Sequence, residues 1–125
     1  MKFEQNAIDF SDDLKNFNLE AELVRQFFTF CNYEQMLFDA EQKLDETNNE
    51  AVKSYETLQK RVKLLKRKSE LKIRIVYALQ VKGGDERITI SKDDWLHNDI
   101  DEFIEVCKKL EKTPRVSMTD FYGNN

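Results

Sequence analysis

Residues that break secondary structure are nearly missing from this chain. Its 125 residues contain three glycines and one proline, Pro114. A β-sandwich or β-barrel needs many turns built from glycine and proline, whereas a few long helices need hardly any. Hydrophobic residues make up 40% of the chain and charged residues 35%, which leaves enough apolar material for a core. The sequence therefore predicts a mainly α fold, and its length predicts a single domain over residues 1–125.

The strongest helical pattern runs from residue 18 to residue 46. One apolar stripe follows intervals of three, four and seven residues: Leu23, Phe27, Phe30, Leu37 and Leu44. A second stripe lies beside it: Val24, Phe28, Cys31 and Phe38. Because its middle is apolar on more than one side, this helix is expected either at the centre of the core or in an oligomer interface. The residues predicted for self-association are Phe27, Phe28, Phe30 and Phe38.

A second helix is predicted over residues 48–70. Thr47 and Glu50 have the spacing of a capping box, in which each side chain reaches a free backbone N–H group at the helix start. A turn at this point makes the two helices an antiparallel hairpin. Since neither glycine nor proline enforces the turn, one continuous helix is the alternative.

The apolar period changes after residue 70. Apolar residues alternate over residues 71–81, Gly83 and Gly84 follow, and residues 87–90 form a short β-branched run. We expect a short β-hairpin over residues 71–90, with the two glycines in its turn. A helix that ends on one of these glycines is the alternative.

A closing helix is predicted over residues 92–112. Ser91 has a side chain that caps helices, apolar residues follow at helical spacing, and Pro114 prevents the helix from continuing. The remaining segments are an N-terminal lead over residues 1–17 and a short C-terminal tail over residues 113–125. The predicted architecture is thus a bundle of three long helices with a short β-hairpin.

Charge is distributed unevenly along the chain. Residues 1–50 contain four basic and twelve acidic residues, whereas residues 51–80 contain nine basic and two acidic ones. In an antiparallel hairpin the centre of the positive segment faces residues 28–36, where Glu34 is the only acid. The first helix therefore cannot neutralise this centre. Its six residues, hereafter the basic block, are Lys60, Arg61, Lys63, Lys66, Arg67 and Lys68.

Three kinds of counter-charge fit the basic block. The first is internal, because the closing helix carries several acids, and internal pairing is the most frequent outcome for a charge run. The second is the phosphates of a nucleic acid. The third is an acidic surface on another protein. A net charge of −4 and the lack of aromatic residues for base stacking within the block argue against a dedicated nucleic-acid binder.

Catalytic and metal-binding patterns are weak. His97 is the only histidine, and Asp94 and Asp101 stand at one-turn spacings from it. A helical metal site needs a second such motif or further nitrogen and sulfur ligands. Cys31 and Cys107 fall on apolar stripes and are expected to be packed, unreactive thiols. The sequence therefore indicates no enzyme, no cofactor and no metal.

The function predicted from sequence is a non-enzymatic protein-binding or adaptor module. It would present the basic block to an acidic partner and self-associate through the phenylalanines of the first helix, with nucleic-acid binding by the same block as the alternative. The chain lacks the apolar run of a signal peptide or membrane span, so we expect a cytoplasmic protein that does not bind membranes. Its richness in Lys, Asn, Phe and Glu is typical of small proteins from AT-rich bacteria and their phages, so an inhibitor or immunity-type protein falls within this prediction.

Overall fold

Most of the described chain is helical. The computed structural model describes residues 10–81 and 95–116, and no strand occurs within these ranges. The prediction of a mainly α fold is therefore confirmed. The helices are α1 over Ser11–Asn16, α2 over Leu19–Lys43, α3 over Asn49–Val81 and α4 over Trp95–Lys112.

Asn48 defines the start of α3 and the turn that precedes it. Its Oδ1 accepts hydrogen bonds from the backbone N–H groups of Glu50 and Ala51, at 3.0 and 3.3 Å. Thr47, the predicted cap, instead donates from its hydroxyl and its backbone N–H to the Asp45 carboxylate. The predicted turn is thus confirmed and one continuous helix is excluded, but the capping residue is Asn48.

The predicted β-hairpin over residues 71–90 is wrong, because α3 continues to Val81. On a strand, Leu71, Ile75 and Tyr77 would share one face. Instead the first two are fully buried while Tyr77 is 43% exposed, so burial follows the helical period. Extending an existing helix adds a hydrogen bond per residue without a new nucleation step, and packing against α4 favours that outcome. The part of the prediction after Val81 lies outside the described residues.

Helix α3 is central and packs against the other three helices. Its 33 residues are about 50 Å long, so two separate apolar cores fit along it. The first core joins the C-terminal half of α3 to α4 and α1, and its fully buried side chains include Leu71, Ile75, Val76, Leu96 and Ile100. The second core joins the N-terminal half of α3 to α2 and is built on Ala40, Leu58 and Val62.

Parts of both predicted terminal segments pack against the bundle. Phe10 lies just before α1, is 4% exposed, and has its ring centroid 5.8 Å from that of Phe103. After α4, the carbonyl of buried Thr113 accepts a hydrogen bond from Arg61 Nη1 at 3.3 Å, and Val116 packs against the second core. These contacts extend both cores beyond the long helices.

The middle of α2 is not at the centre of either core, so that alternative for this helix is wrong. Phe27, Phe28 and Phe38 are 64%, 62% and 56% exposed. Cys31, predicted to be packed, is also exposed, whereas Cys107 is partly buried against the first core. The reason is that α2 packs against α3 alone among the described helices, so only one of its sides is covered.

Candidate functional site

The basic block does not form one face of α3. Successive residues of a helix point about 100° apart, so a run of this length covers all sides of the helix. Three members, spaced by three and four residues, point toward α4: Lys60, Lys63 and Arg67. The other three are not among the residues that line the space between α3 and α4: Arg61, Lys66 and Lys68. Only half of the predicted partner-binding residues are therefore brought together.

Three cations of the block meet two cations of α4 in one groove. The groove lies between α3 and the last turns of α4, and its volume is about 660 Å³. Its described lining residues include the apolar side chains of Leu64 and Val106 and a single carboxylate, that of Glu102. The basic groove, as we name it, is defined by its five cationic side chains: Lys60, Lys63, Arg67, Lys109 and Lys112.

The one acid of the basic groove is already occupied. Arg67 donates from Nε and Nη2 to the two carboxylate oxygens of Glu102, at 2.5 and 2.8 Å, which is the strong bidentate geometry. Hydrogen bonding to Arg67 lowers the pKa of Glu102, and the same bonds raise the pKa of Arg67. The side chains are 39% and 43% exposed, so solvent screens their attraction. Glu102 thus compensates Arg67 and leaves four cations.

Those four cations have little compensation. Lys109 Nζ lies 3.8 Å from Glu105 Oε1, and both side chains are more than half exposed. Within the described part of the chain, Lys60, Lys63 and Lys112 form no ion pair. Cations gathered in one groove produce a positive potential that attracts anionic groups.

The other members of the block have separate environments. Arg61 donates to a backbone carbonyl just after α4. Lys66 forms an ion pair with Glu34, and its Nζ lies 5.5 Å from the ring centroid of Phe30. Lys68 lines a cleft between α2 and α3. None of these three side chains contributes to the basic groove.

Helix α4 neutralises one member of the basic block, not all of it. Glu102 pairs with Arg67, whereas Asp99 lies 3.0 Å from the Nε of Arg74, which is outside the block. The acids at residues 93 and 94, which the sequence also offers as counter-charges, lie outside the described residues. Among the described residues, internal pairing therefore accounts for only part of the positive charge of the block.

Sequence reasoning missed Lys109 and Lys112 as members of the site. The two residues are three apart at the end of α4, so they share one side of that helix. The Arg67–Glu102 and Arg74–Asp99 pairs together show that α4 runs antiparallel to α3, in a register that places these lysines near Lys60. That register depends on long-range packing, for which the sequence carries no local signal.

The described residues contain no candidate metal centre. Within residues 10–81 and 95–116, no three His, Cys, Asp or Glu side chains converge. His97 Nδ1 lies 3.3 Å from Asp101 Oδ2 one turn away. Asp94, the third residue of that spacing, lies outside the described residues. Over the same two ranges, no helix is long and apolar enough to cross a membrane.

Similarity to known proteins offers no further guide. No protein-family model, curated protein or solved structure matches this chain. The basic groove and the exposed surfaces of the helices are therefore the features from which a function can be inferred.

Proposed function

We propose that the chain is a non-enzymatic protein-binding module that docks an acidic surface of a partner protein in the basic groove. The observation that carries the proposal is the charge of this groove, whose described residues include five cations and one acid, and that acid is already paired. Like charges held close together repel each other, and a partner carboxylate relieves that repulsion while it forms charge-assisted hydrogen bonds. An acidic partner is thus the occupant with the best electrostatic complementarity.

The lining of the groove favours a protein partner over single-stranded nucleic acid. None of its described lining residues is aromatic, and strand binding without sequence preference relies on aromatic side chains that stack on bases. Leu64 and Val106 instead offer apolar contacts to a partner side chain between the carboxylates. A segment that alternates acidic and aliphatic residues matches both features.

Fluorescence anisotropy with a labelled peptide of alternating Asp, Glu and Leu tests the proposal. The double variant Lys63→Glu/Lys112→Glu reverses one charge on each wall of the groove. We expect its affinity for the peptide to fall at least tenfold, about 1.4 kcal/mol or more, because carboxylates then face carboxylates. Binding by the wild type should also weaken as salt rises, since these charges are exposed.

A charge-matched control separates the groove from net charge. Lys53→Glu/Lys108→Glu changes the net charge equally and alters one exposed residue on each of α3 and α4 outside the groove. We expect this control to lose less than about threefold in affinity. An equal loss in both double variants would contradict the proposal. Tighter binding of an oligonucleotide than of the peptide, lost in the groove variant, would establish the nucleic-acid alternative instead.

A further inference from the structure

The first half of α2 turns its apolar side chains toward solvent. The exposed fractions are 46% for Leu23, 54% for Val24, 64% for Phe27 and 62% for Phe28. A fully buried phenylalanine covers about 150–250 Å², so side chains this exposed leave a patch on the order of 300 Å² or more. A contiguous apolar patch of this size is characteristic of an interaction site.

The side of the same segment that faces α3 carries polar residues, some of which are also exposed to solvent. Gln26 Nε2 donates a hydrogen bond to the Ser69 hydroxyl at 3.1 Å, across the interface with α3. Further polar residues of α2 line the cleft of about 480 Å³ between these helices: Glu22, Arg25 and Thr29. A surface helix normally turns its apolar side inward. In this segment Glu22 and Gln26 are partly buried on the α3 side while Val24 and Phe27 are exposed, so part of its apolar surface is left uncovered.

Two of these exposed side chains, Val24 and Phe27, belong to a longer run of residues at coiled-coil spacing. Intervals alternate between four and three residues over about 27 Å of helix, which is the pattern of positions that contact a second helix. A shallow groove of about 790 Å³ runs along the same side, and all of its described lining residues belong to α2. The α2 seam, as we name it, consists of Glu20, Val24, Phe27, Cys31, Glu34 and Phe38.

The charges on α2 indicate whether the α2 seam binds a second copy of this chain or a different protein. In a parallel pair of identical seams, Glu20 and Glu34 would each stand beside the same residue of the other copy, and like charges at these positions repel. In an antiparallel pair with the seams fully overlapped, Glu20 and Glu34 would instead lie against Phe38 and Val24 of the other copy. This arrangement is unfavourable, because both carboxylates lose water and neither gains a cation. Residues 1–50 also carry twelve acids against four bases, which adds repulsion at longer range.

We propose that the α2 seam binds an amphipathic helix of a basic partner protein. The partner helix would place apolar residues against Phe27 and Phe38, and Lys or Arg residues near Glu20 and Glu34, which are about 21 Å apart along α2. Glu34 already accepts from Lys66, yet its side chain is 62% exposed and can accept from a second cation. A stable interface covers about 800 Å² on each side, so the partner helix must lie along the whole seam.

Binding of a designed peptide tests this second surface directly. The probe is a labelled helical peptide of about 20 residues, with leucines at heptad spacing and lysines beside them. Its comparison peptide carries glutamate in place of every lysine. We expect the lysine peptide to bind the full chain at least tenfold more tightly than the glutamate peptide, as measured by anisotropy. Equal binding of the two peptides, or binding of neither, would overturn the proposal.

Matched variants test whether the lysine peptide binds at the α2 seam. Phe27→Ser and Phe38→Ser should each weaken binding of the lysine peptide at least tenfold, because aromatic side chains dominate such interfaces. Tyr77→Ser removes an aromatic residue that is 43% exposed on α3 and should leave the affinity unchanged within about twofold. Loss of affinity in the Tyr77 variant but not in the two phenylalanine variants would overturn the proposal, as would sedimentation showing a dimer that Phe27→Ser dissociates.

The proposals for the α2 seam and for the basic groove can be refuted independently of each other. Lys63→Glu/Lys112→Glu should retain binding of the lysine peptide, because neither residue lies on α2. Failure of the acidic-peptide experiment with success of this one would remove the basic groove from the account and leave the α2 seam in place. If this variant abolished binding of the lysine peptide, the seam would not be the binding site.

Discussion

Two regions of this helical framework, which lie on different sides of the C-terminal half of α3, differ in how far their apolar side chains are buried. Where α3 packs against α4, Leu71, Ile75 and Ile100 are at most 1% exposed. In the first half of α2, Phe27 and Phe28 are more than 60% exposed, and the contact with α3 includes the polar pair Gln26–Ser69. This difference shows that apolar periodicity identifies a helix but does not indicate which part of the molecule covers its apolar side. We infer that the α3–α4 core supplies most of the stability, and that the first half of α2 serves binding.

Truncation of the first core should have the largest effect on stability. Ile75 is fully buried among α3 and α4 side chains, so Ile75→Ala removes buried methyl and methylene groups and leaves a cavity. We expect the free energy of unfolding to fall by about 3 kcal/mol. Urea denaturation followed by far-UV circular dichroism measures this change. A loss below about 1 kcal/mol would contradict the assignment of the main core to α3 and α4.

Overpacking the second core should have the next largest effect. Ala40 of α2 is completely buried in a cluster with Leu58 and Val62 of α3, so a larger side chain at Ala40 pushes the helices apart. We expect Ala40→Leu to lower the free energy of unfolding by about 2 kcal/mol in the same urea experiment. Asn32→Leu, at an exposed position of α2, is the control and should change it by less than about 0.5 kcal/mol. Equal effects would mean that α2 is not closely packed at Ala40.

Loss of the Glu102–Arg67 pair should have a smaller effect that depends on pH. The folded-state pKa of Glu102 is lowered by its hydrogen bonds to Arg67. The pair therefore stabilises the fold above the ordinary glutamate pKa, near 4.5, and this contribution is lost as pH falls through the lower folded value. Because both side chains are partly exposed, Glu102→Gln should cost about 0.5 kcal/mol at pH 7. The difference from wild type should shrink below pH 4.5, and growth of the difference there would contradict this sign.

Substitution on the α2 seam should have the smallest effect on stability. Replacing a core phenylalanine costs about 3–5 kcal/mol. Phe27 is 64% exposed, so Phe27→Ser should change the free energy of unfolding by less than about 0.5 kcal/mol. Urea denaturation at several protein concentrations checks this expectation. A large, concentration-dependent loss would mean that Phe27 is buried against a second copy.

The local part of the fold could be predicted from sequence. Helical spacing and the polar turn before Glu50 were enough to place two antiparallel helices, and Pro114 was enough to end the closing helix. The end of α3 could not be predicted, because Leu71, Ile75 and Leu79 satisfy both a two-residue alternation and a four-residue spacing. Burial against α4 decides between the two periods, and that contact is long-range.

The candidate sites were predictable in composition but not in geometry. Lys60, Lys63 and Arg67 belong to the predicted basic block, yet the contribution of Lys109 and Lys112 depends on how α4 packs against α3. The aromatic residues of α2 were expected either at the centre of the core or in an interface. Among the described helices, α2 packs only against α3, and this packing decides which of its aromatic residues face solvent.

Amide hydrogen exchange of the full chain, with and without the lysine peptide, tests most directly whether the first half of α2 is a binding surface. Saturating peptide should slow exchange along α2, Leu19–Lys43, and leave α4, Trp95–Lys112, unchanged. Slower exchange along α4 with α2 unaffected, at peptide concentrations that saturate binding, would contradict the account.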